Sequence, residues 1–264
     1  MTKKIHPTAI IEDGAIIGEN VEIEPYAIIK KNVTLHDRVV VKSHAYIEGY
    51  TTIGEGTTIW PSVSIGTQTQ DLKYSGEKTY VIIGKNCHIR EFVTINSSTQ
   101  KDSTVEIGDN CLLMAYCHIA HNSKIGNNVV MSNCATLAGH VTIGNNAIIG
   151  GFAPIHQNVR IGDYAMVGGM SRVGHDIPPY IIGGGIPFKI GGINIVGMKR
   201  KGFSLEVRNA LCRAFKIFYR SELKLKEAIE EAERVCEPIE EINCWLDFCK
   251  QPSPRGIMGF QALT

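Results

Sequence analysis

Residues 107–161 read IGDNCLLMAYCHIAHNSKIGNNVVMSNCATLAGHVTIGNNAIIGGFAPIHQNVRI, and the spacing within them decides the fold. Stepping by six from Ile107 gives Leu113, Ile119, Ile125, Met131, Leu137, Ile143, Ile149, Ile155 and Ile161, and the run continues to Val167 and Val173. Every position is aliphatic or a flexible apolar Met. Two places before each next aliphatic lies a compact residue, such as Ser123, Val129, Ala135, Ala147 or Ala153. The same pair of positions recurs from Ile5 to Ile65, with Ala9, Ala15, Val21, Ala27, Val33, Ala45 and Thr51 as the compact partners.

A strict period of six fits neither an α-helix nor a half-buried strand. It fits a coil of three short flat walls, in which the aliphatic fills the interior and the compact residue permits a sharp corner. Gly18, Gly54, Gly66, Gly84, Gly108, Gly126, Gly144 and Gly162 directly follow an aliphatic, where an unusual φ would cost glycine least. Three hexads make one coil, and stacked coils bury each other's edges at about 4.8 Å. Residues 5–182 supply about ten such coils.

Two polar stretches, Thr67–Tyr80 and Ser97–Thr104, lack the inward pair and read as ejected loops, where function commonly resides. The ladder is expected to stop at Asp176-Ile-Pro-Pro179, since proline removes a ladder donor. The organisation expected is therefore a β-helical unit over 1–182 with loops near 67–80 and 97–104, a Gly-rich basic connector over 183–203, and an α-helical domain over 204–264. In that last part Val207, Leu211, Ala214, Phe215 and Phe218 share a helical face behind a Ser204 cap. Further helices are expected over about 222–235 and 238–250.

Composition narrows the function. The 27 basic and 26 acidic residues leave a formal charge of +1, which offers no global attraction for nucleic acid or an anionic membrane. No apolar run of about 18 residues appears and the N-terminal stretch has no signal-peptide core, so the expected compartment is the cytoplasm, without stable membrane insertion. The eight cysteines form no CxxC pair; Cys87, Cys111 and Cys117 occupy the compact repeat position and read as buried thiols.

A separation of 18 means vertical adjacency. Ile119, Leu137 and Ile155 therefore stack, and His121, His140 and His156, just after them, project near one corner of successive coils. His118 precedes that corner, and Gly139 lies directly above His121. One outward histidine is ordinarily a solvated surface residue; three in register are not. Such a cluster serves either as a zinc site or as a general base. A flat-walled prism makes no deep pocket alone, so the site belongs in a groove between prisms, most simply in a homotrimer.

The motifs His118-Ile-Ala-His121, Leu137-Ala-Gly-His140, Ile155-His-Gln157 and Gln70-Asp-Leu-Lys-Tyr74, in that setting, closely resemble the UDP-N-acetylglucosamine O-acyltransferase family of lipid A biosynthesis. The resemblance covers essentially the whole chain and implies a mainly β fold, a left-handed parallel β-helix of hexapeptide repeats followed by a small C-terminal α-helical domain. It implies homotrimers that move an (R)-3-hydroxyacyl group from acyl carrier protein to the glucosamine 3-hydroxyl of UDP-N-acetylglucosamine, with no cofactor and no metal. Carried over, His121 is the general base and the Gly139 N–H stabilises the oxyanion. Asp71, Lys73, His118 and Gln157 hold the sugar, His140 and His156 line the cleft, and Gln70 meets the acyl 3-hydroxyl. Asn194 and Arg200 address the nucleotide, and Gly169 matches the position that sets acyl length, where glycine leaves room for a long chain. The chain departs from the family at Asn122, often Asp; at Val196, often Glu; and at Asn96, often His. These departures keep acylation of a 3-amino sugar open. A zinc hydratase of the γ-carbonic-anhydrase type shares the fold but gives QDLK no role, and an inactive binding scaffold is a third reading.

Overall fold

A computed structural model describes residues 4–260; the outermost residues of the two expected terminal units, 1–3 and 261–264, lie outside the described residues. Strands of two to five residues, beginning with Lys4–Ile5, Ile10–Ile11 and Ile16–Ile17, fall in turn into three sheets of 11, 8 and 8 strands. Up to Met166–Val167 every third strand joins the same sheet, the next two strands extend the first sheet in succession, and all pairs are parallel until the last. This is a left-handed parallel β-helix with a small helical part at its C-terminal end.

The register follows the repeat. Ile119 lies beside Leu137 and Leu137 beside Ile155, a step of one coil. Across the first ejected loop the step grows from 18 to 30 residues, and across the second to 24. The column stays aligned because the loops leave at a corner and return to it. The aliphatics from Ile23 to Val173 are at most 4% exposed, each contributing about 1.5–3 kcal/mol by leaving water. In the first coil Ile5 is 39% exposed, since among the described residues no coil lies below it.

Glycine serves the corners differently from the expectation. Left-handed backbone falls on the third residue after the aliphatic, as at Asn20, Asn32, Asn110, Asn122, Asn128 and Asn158, with φ between 54° and 67°. Asn tolerates that region better than most side chains. Among the eight glycines directly after an aliphatic, only Gly66 has positive φ. The others are glycine because the next coil passes too close: a Cβ on Gly108 would lie 2.7 Å from the carbonyl carbon of Gly126, and one on Gly144 would lie 2.8 Å from that of Gly162.

The ladder also runs past the two prolines. Ile181–Gly184 pairs in parallel with Met166–Val167, and Lys189–Ile193 returns antiparallel to extend the first sheet. Pro178 and Pro179 sit in a corner between ladder residues, where no amide donor is needed. The Gly-rich stretch is thus largely a hairpin, followed by the short helix α1 (Ile195–Arg200).

Helix α2 (Leu205–Tyr219) is capped by Ser204, whose Oγ accepts from the Val207 amide at 3.3 Å. It buries Ala210, Leu211, Ala214 and Phe218 against α3 (Leu225–Val235) and α4 (Glu240–Lys250), around a fully buried Trp245. The tail is tied to the coils by Arg160. Its Nε donates to the fully buried Asp176 at 2.6 Å, its Nη1 donates to Gln251 at 2.9 Å, and the guanidinium lies 4.5 Å from the Phe248 ring centroid.

Candidate active site

The candidate site is the corner between the second and third sheets. His118 and His121 flank Ile119, whose buried side chain fixes the strand so that one imidazole stands on the wall and the other at the turn. His121 is only 9% exposed, although it points away from the coil interior. The loop 68–79 covers it. That loop leaves Ser64–Thr67 and returns at Tyr80–Ile83, and it brings the Asp71 carboxylate to 3.7 Å from His121 Nε2. Asp71 is itself held by the loop: its Oδ1 accepts from the Lys73 amide at 3.0 Å.

On the other side of the ring, His121 Nδ1 lies 3.0 Å from Asn122 Oδ1, so a neutral amide supplies the acceptor. His140 packs edge-on against His121, with ring centroids 5.2 Å apart. Burial lowers the pKa of His140; the neighbouring His121 lowers it further, against the pull of Asp71. His118 has its Nδ1 2.7 Å from the Thr94 hydroxyl, and burial lowers its pKa as well.

Gly139 lies against the His121 ring: a Cβ there would come 2.9 Å from Nδ1 and closer still to other ring atoms. At the corner that follows the third sheet, the amide N–H of the equivalent turn residue is taken by an Asn or Asp from the next coil. Asp109 donates to Asn127, Asn127 to Asn145, and Asn145 to Asp163. The coil above Gly139 offers Gln157 at that place, and among the described residues the Gly139 N–H has no such partner. It is a donor left open beside an imidazole.

His121, His140, Asp71, Lys73 and Gly139 are thus gathered around one corner, Lys73 near enough to act on the charge of His140. Gln70 is exposed on the same loop, beside a fully exposed Leu72. His156 and Gln157 follow the same sheet edge one coil higher than His140 and are exposed; His156 lines a separate cavity of about 430 Å³ with Arg172, His175, Phe188 and Arg255. Asn194 is 5% exposed and caps α1: Oδ1 accepts from Gly197 at 3.1 Å and Nδ2 donates to the Tyr164 carbonyl at 2.9 Å. Its carboxamide is engaged inside the chain. Arg200 is exposed in the last turn of α1, and Val196 is exposed in the first. Gly169 stands over Gly151, between exposed Phe152 and Met170, with room for a side chain. Asn96 is buried, its Nδ2 donating to Thr67 at 2.9 Å while Oδ1 has no partner.

Sequence reasoning passed over Thr94 and Thr99. Thr94 shares an outward column with His118, but the 24-residue step across the second loop hides that pairing. Thr99 lies in the segment expected as an ejected loop, yet Ser97, Ser98 and Thr99 are buried. Cys87, Cys111 and Cys117 are buried and free, each thiol facing a carbonyl of the next coil. Among the described residues, no three His, Cys, Asp or Glu side chains are grouped to hold a metal ion, and no helix is long and apolar enough to cross a membrane.

The six-residue coils place the chain in the hexapeptide-repeat class of bacterial transferases, and its relatives make it an acyltransferase. The chain matches the family model described as UDP N-acetylglucosamine O-acyltransferase, domain 2, over residues 176–258, and that of the bacterial transferase hexapeptide over 14–49 and 104–139. It is 63% identical to an acyl-(acyl-carrier-protein)–UDP-N-acetylglucosamine O-acyltransferase of Chlamydia trachomatis, over 96% of this chain and 90% of that one. With the protein of that name from Chlamydia abortus it shares 59% identity, over 96% and 91% of the two chains. The crystal structure of the UDP-N-acetylglucosamine acyltransferase of Bacteroides fragilis superposes with a TM-score of 0.92 at 41% identity, over 96% and 99%. The chain belongs to the acyl-(acyl-carrier-protein)–UDP-N-acetylglucosamine O-acyltransferase family.

Proposed function

We propose that this enzyme transfers an (R)-3-hydroxyacyl group from acyl carrier protein to the glucosamine 3-hydroxyl of UDP-N-acetylglucosamine, the first step of lipid A biosynthesis, in the cytoplasm. The observation that carries this reading is the His121 ring, with Nδ1 against Asn122, Nε2 toward Asp71, and the open Gly139 amide alongside. With Nδ1 protonated, Nε2 has a lone pair for the sugar hydroxyl proton. The oxygen then attacks the thioester carbonyl. The Gly139 N–H donates to the oxyanion, and collapse expels the thiolate, which regains the proton held by His121.

Asp71 and Lys73 of the loop, with His118, His140 and Gln157, hold the sugar and its N-acetyl group. Gln70 meets the acyl 3-hydroxyl. His156, Asn194 and Arg200 lie toward the nucleotide, where an exposed guanidinium suits a diphosphate and Asn194 serves mainly to hold α1. Gly169, without a side chain, leaves the acyl groove open to a long chain.

The assembly is a homotrimer with sites between prisms. Phe92, Tyr116, Phe152 and Met170 are 48–64% exposed at the corner between the first and second sheets, an apolar column that a neighbouring prism covers. Asn122 and Asn96 also suit a 3-amino sugar, because an amine attacks without a strongly activated base. Mass spectrometry of products from a set of 3-hydroxyacyl carrier proteins, with amino and hydroxy acceptors in competition, tests the reading. Ester formation on the 3-hydroxyl is expected; an amide as the sole product would move the assignment, and no product with any donor would reject it.

A further inference from the structure

The Asn122 amide that faces His121 has two unlike ends, and only one of them leaves a usable base. With Oδ1 toward the ring, Nδ1 carries the proton and Nε2 is free. With the amide turned over, its NH₂ donates to Nδ1, the proton moves to Nε2, and the ring can accept nothing from a substrate hydroxyl. Asp71 favours the wrong state, since its carboxylate faces Nε2 from 3.7 Å and attracts a proton there. A carboxylate in place of Asn122 would have no such ambiguity, because either oxygen accepts. This chain therefore needs a further group to hold the amide.

Thr99 is in place to do so. It comes from the segment between Thr94–Asn96 and Thr104–Ile107, is 9% exposed, and its Oγ lies 2.8 Å from Asn122 Oδ1, donating to it. Were the amide turned over, Thr99 Oγ would accept from Nδ2, and its own buried O–H would be left without a partner, an unfavourable state. We infer that Thr99 is a positioning residue: through Asn122 it fixes His121 in the Nδ1-protonated form that acyl transfer requires. This rests on His121 being the base, as proposed above. It assigns a role to a loop residue that touches no substrate.

The test is a cycle of variants in the full-length enzyme. Thr99→Val removes the hydroxyl and keeps the shape; kcat is expected to fall about tenfold with KM for either substrate changed less than about twofold. Thr99→Ser restores the donor and most of the rate. Asn122→Asp makes the donor unnecessary, so adding Thr99→Val to Asn122→Asp should cost nothing further. A merely structural Thr99 would cost the same in both backgrounds. Ring-nitrogen shifts of ¹⁵N-histidine-labelled protein, with His121 assigned by comparison with His121→Ala, read the tautomer without turnover. Nδ1–H in the parent and Nε2–H in Thr99→Val are expected. An unchanged tautomer and rate in Thr99→Val, or a rate loss that persists in the Asn122→Asp background, would overturn the inference. Loss of all transfer in the parent enzyme, with the tautomer change intact, would instead count against the proposed reaction.

Discussion

At the residue scale, the close fit between His121 and Gly139 gives a sharp expectation. Alanine at 139 would bring its Cβ within 2.9 Å of Nδ1. Gly139→Ala should therefore displace the imidazole and lower kcat by about a hundredfold or more while the thermal midpoint stays close to that of the parent, as activity assays and melting together would show. His118 gives a pH expectation. Burial lowers its pKa below the ordinary 6.5, so as pH falls the unfolded chain takes up the proton first. Stability from this group is complete above that value and declines through the window below it, down to the depressed folded pKa. His140 acts in the same direction. The thermal midpoint should drop on acidification through that window, and His118→Gln should flatten the slope; an equal slope in the variant would remove His118 from the account. The adjacency of His121 and His140 was legible because a period of six fixes which residues share a corner, whereas His156, expected with them, lines a separate cavity. The hold of Thr99 on Asn122 was not, since both partners lie where the repeat is interrupted or turns.

At the scale of elements, the ejected loops and the tail clamp can be probed separately. The loop 68–79 contributes Asp71 to the site but no inward side chain to the aliphatic column. Replacing it with a short turn should leave the β-sheet circular dichroism intact and abolish transfer; loss of the fold would show that the loop is structural. The Arg160–Asp176 pair works the other way. Arg160→Ala leaves Asp176 buried without its charge partner and should cost about 3–5 kcal/mol, read by calorimetry as earlier unfolding of the helical tail. The strands were legible because each needs only one aliphatic and one compact residue at fixed spacing. The hairpin Ile181–Ile193 was not. Its glycines hide the strand pattern, and the prolines before it look like a stop although they occupy a corner. The glycines after each aliphatic were visible, but their physical cause was not: close approach between coils exists only once the coils are stacked.

At the scale of the whole molecule, the β-helix is a one-dimensional stack, stiff because each coil is paired above and below. Stiffness would suit the proposed site between prisms, since a small error in one coil would misplace the facing edge. If the apolar corner column is the contact of the proposed trimer, Phe152→Glu should leave a monomer of 29.0 kDa by light scattering, and activity should disappear with it. A trimer that survives this change would place the contact on another face. The measurement that bears most directly on the central claim is a crystal structure with UDP-N-acetylglucosamine bound. The glucosamine 3-hydroxyl should lie about 2.6–3.2 Å from His121 Nε2, with Asp71 and Lys73 on the sugar. A sugar bound away from that corner, or one whose 3-hydroxyl faces solvent while His121 meets nothing, would contradict it.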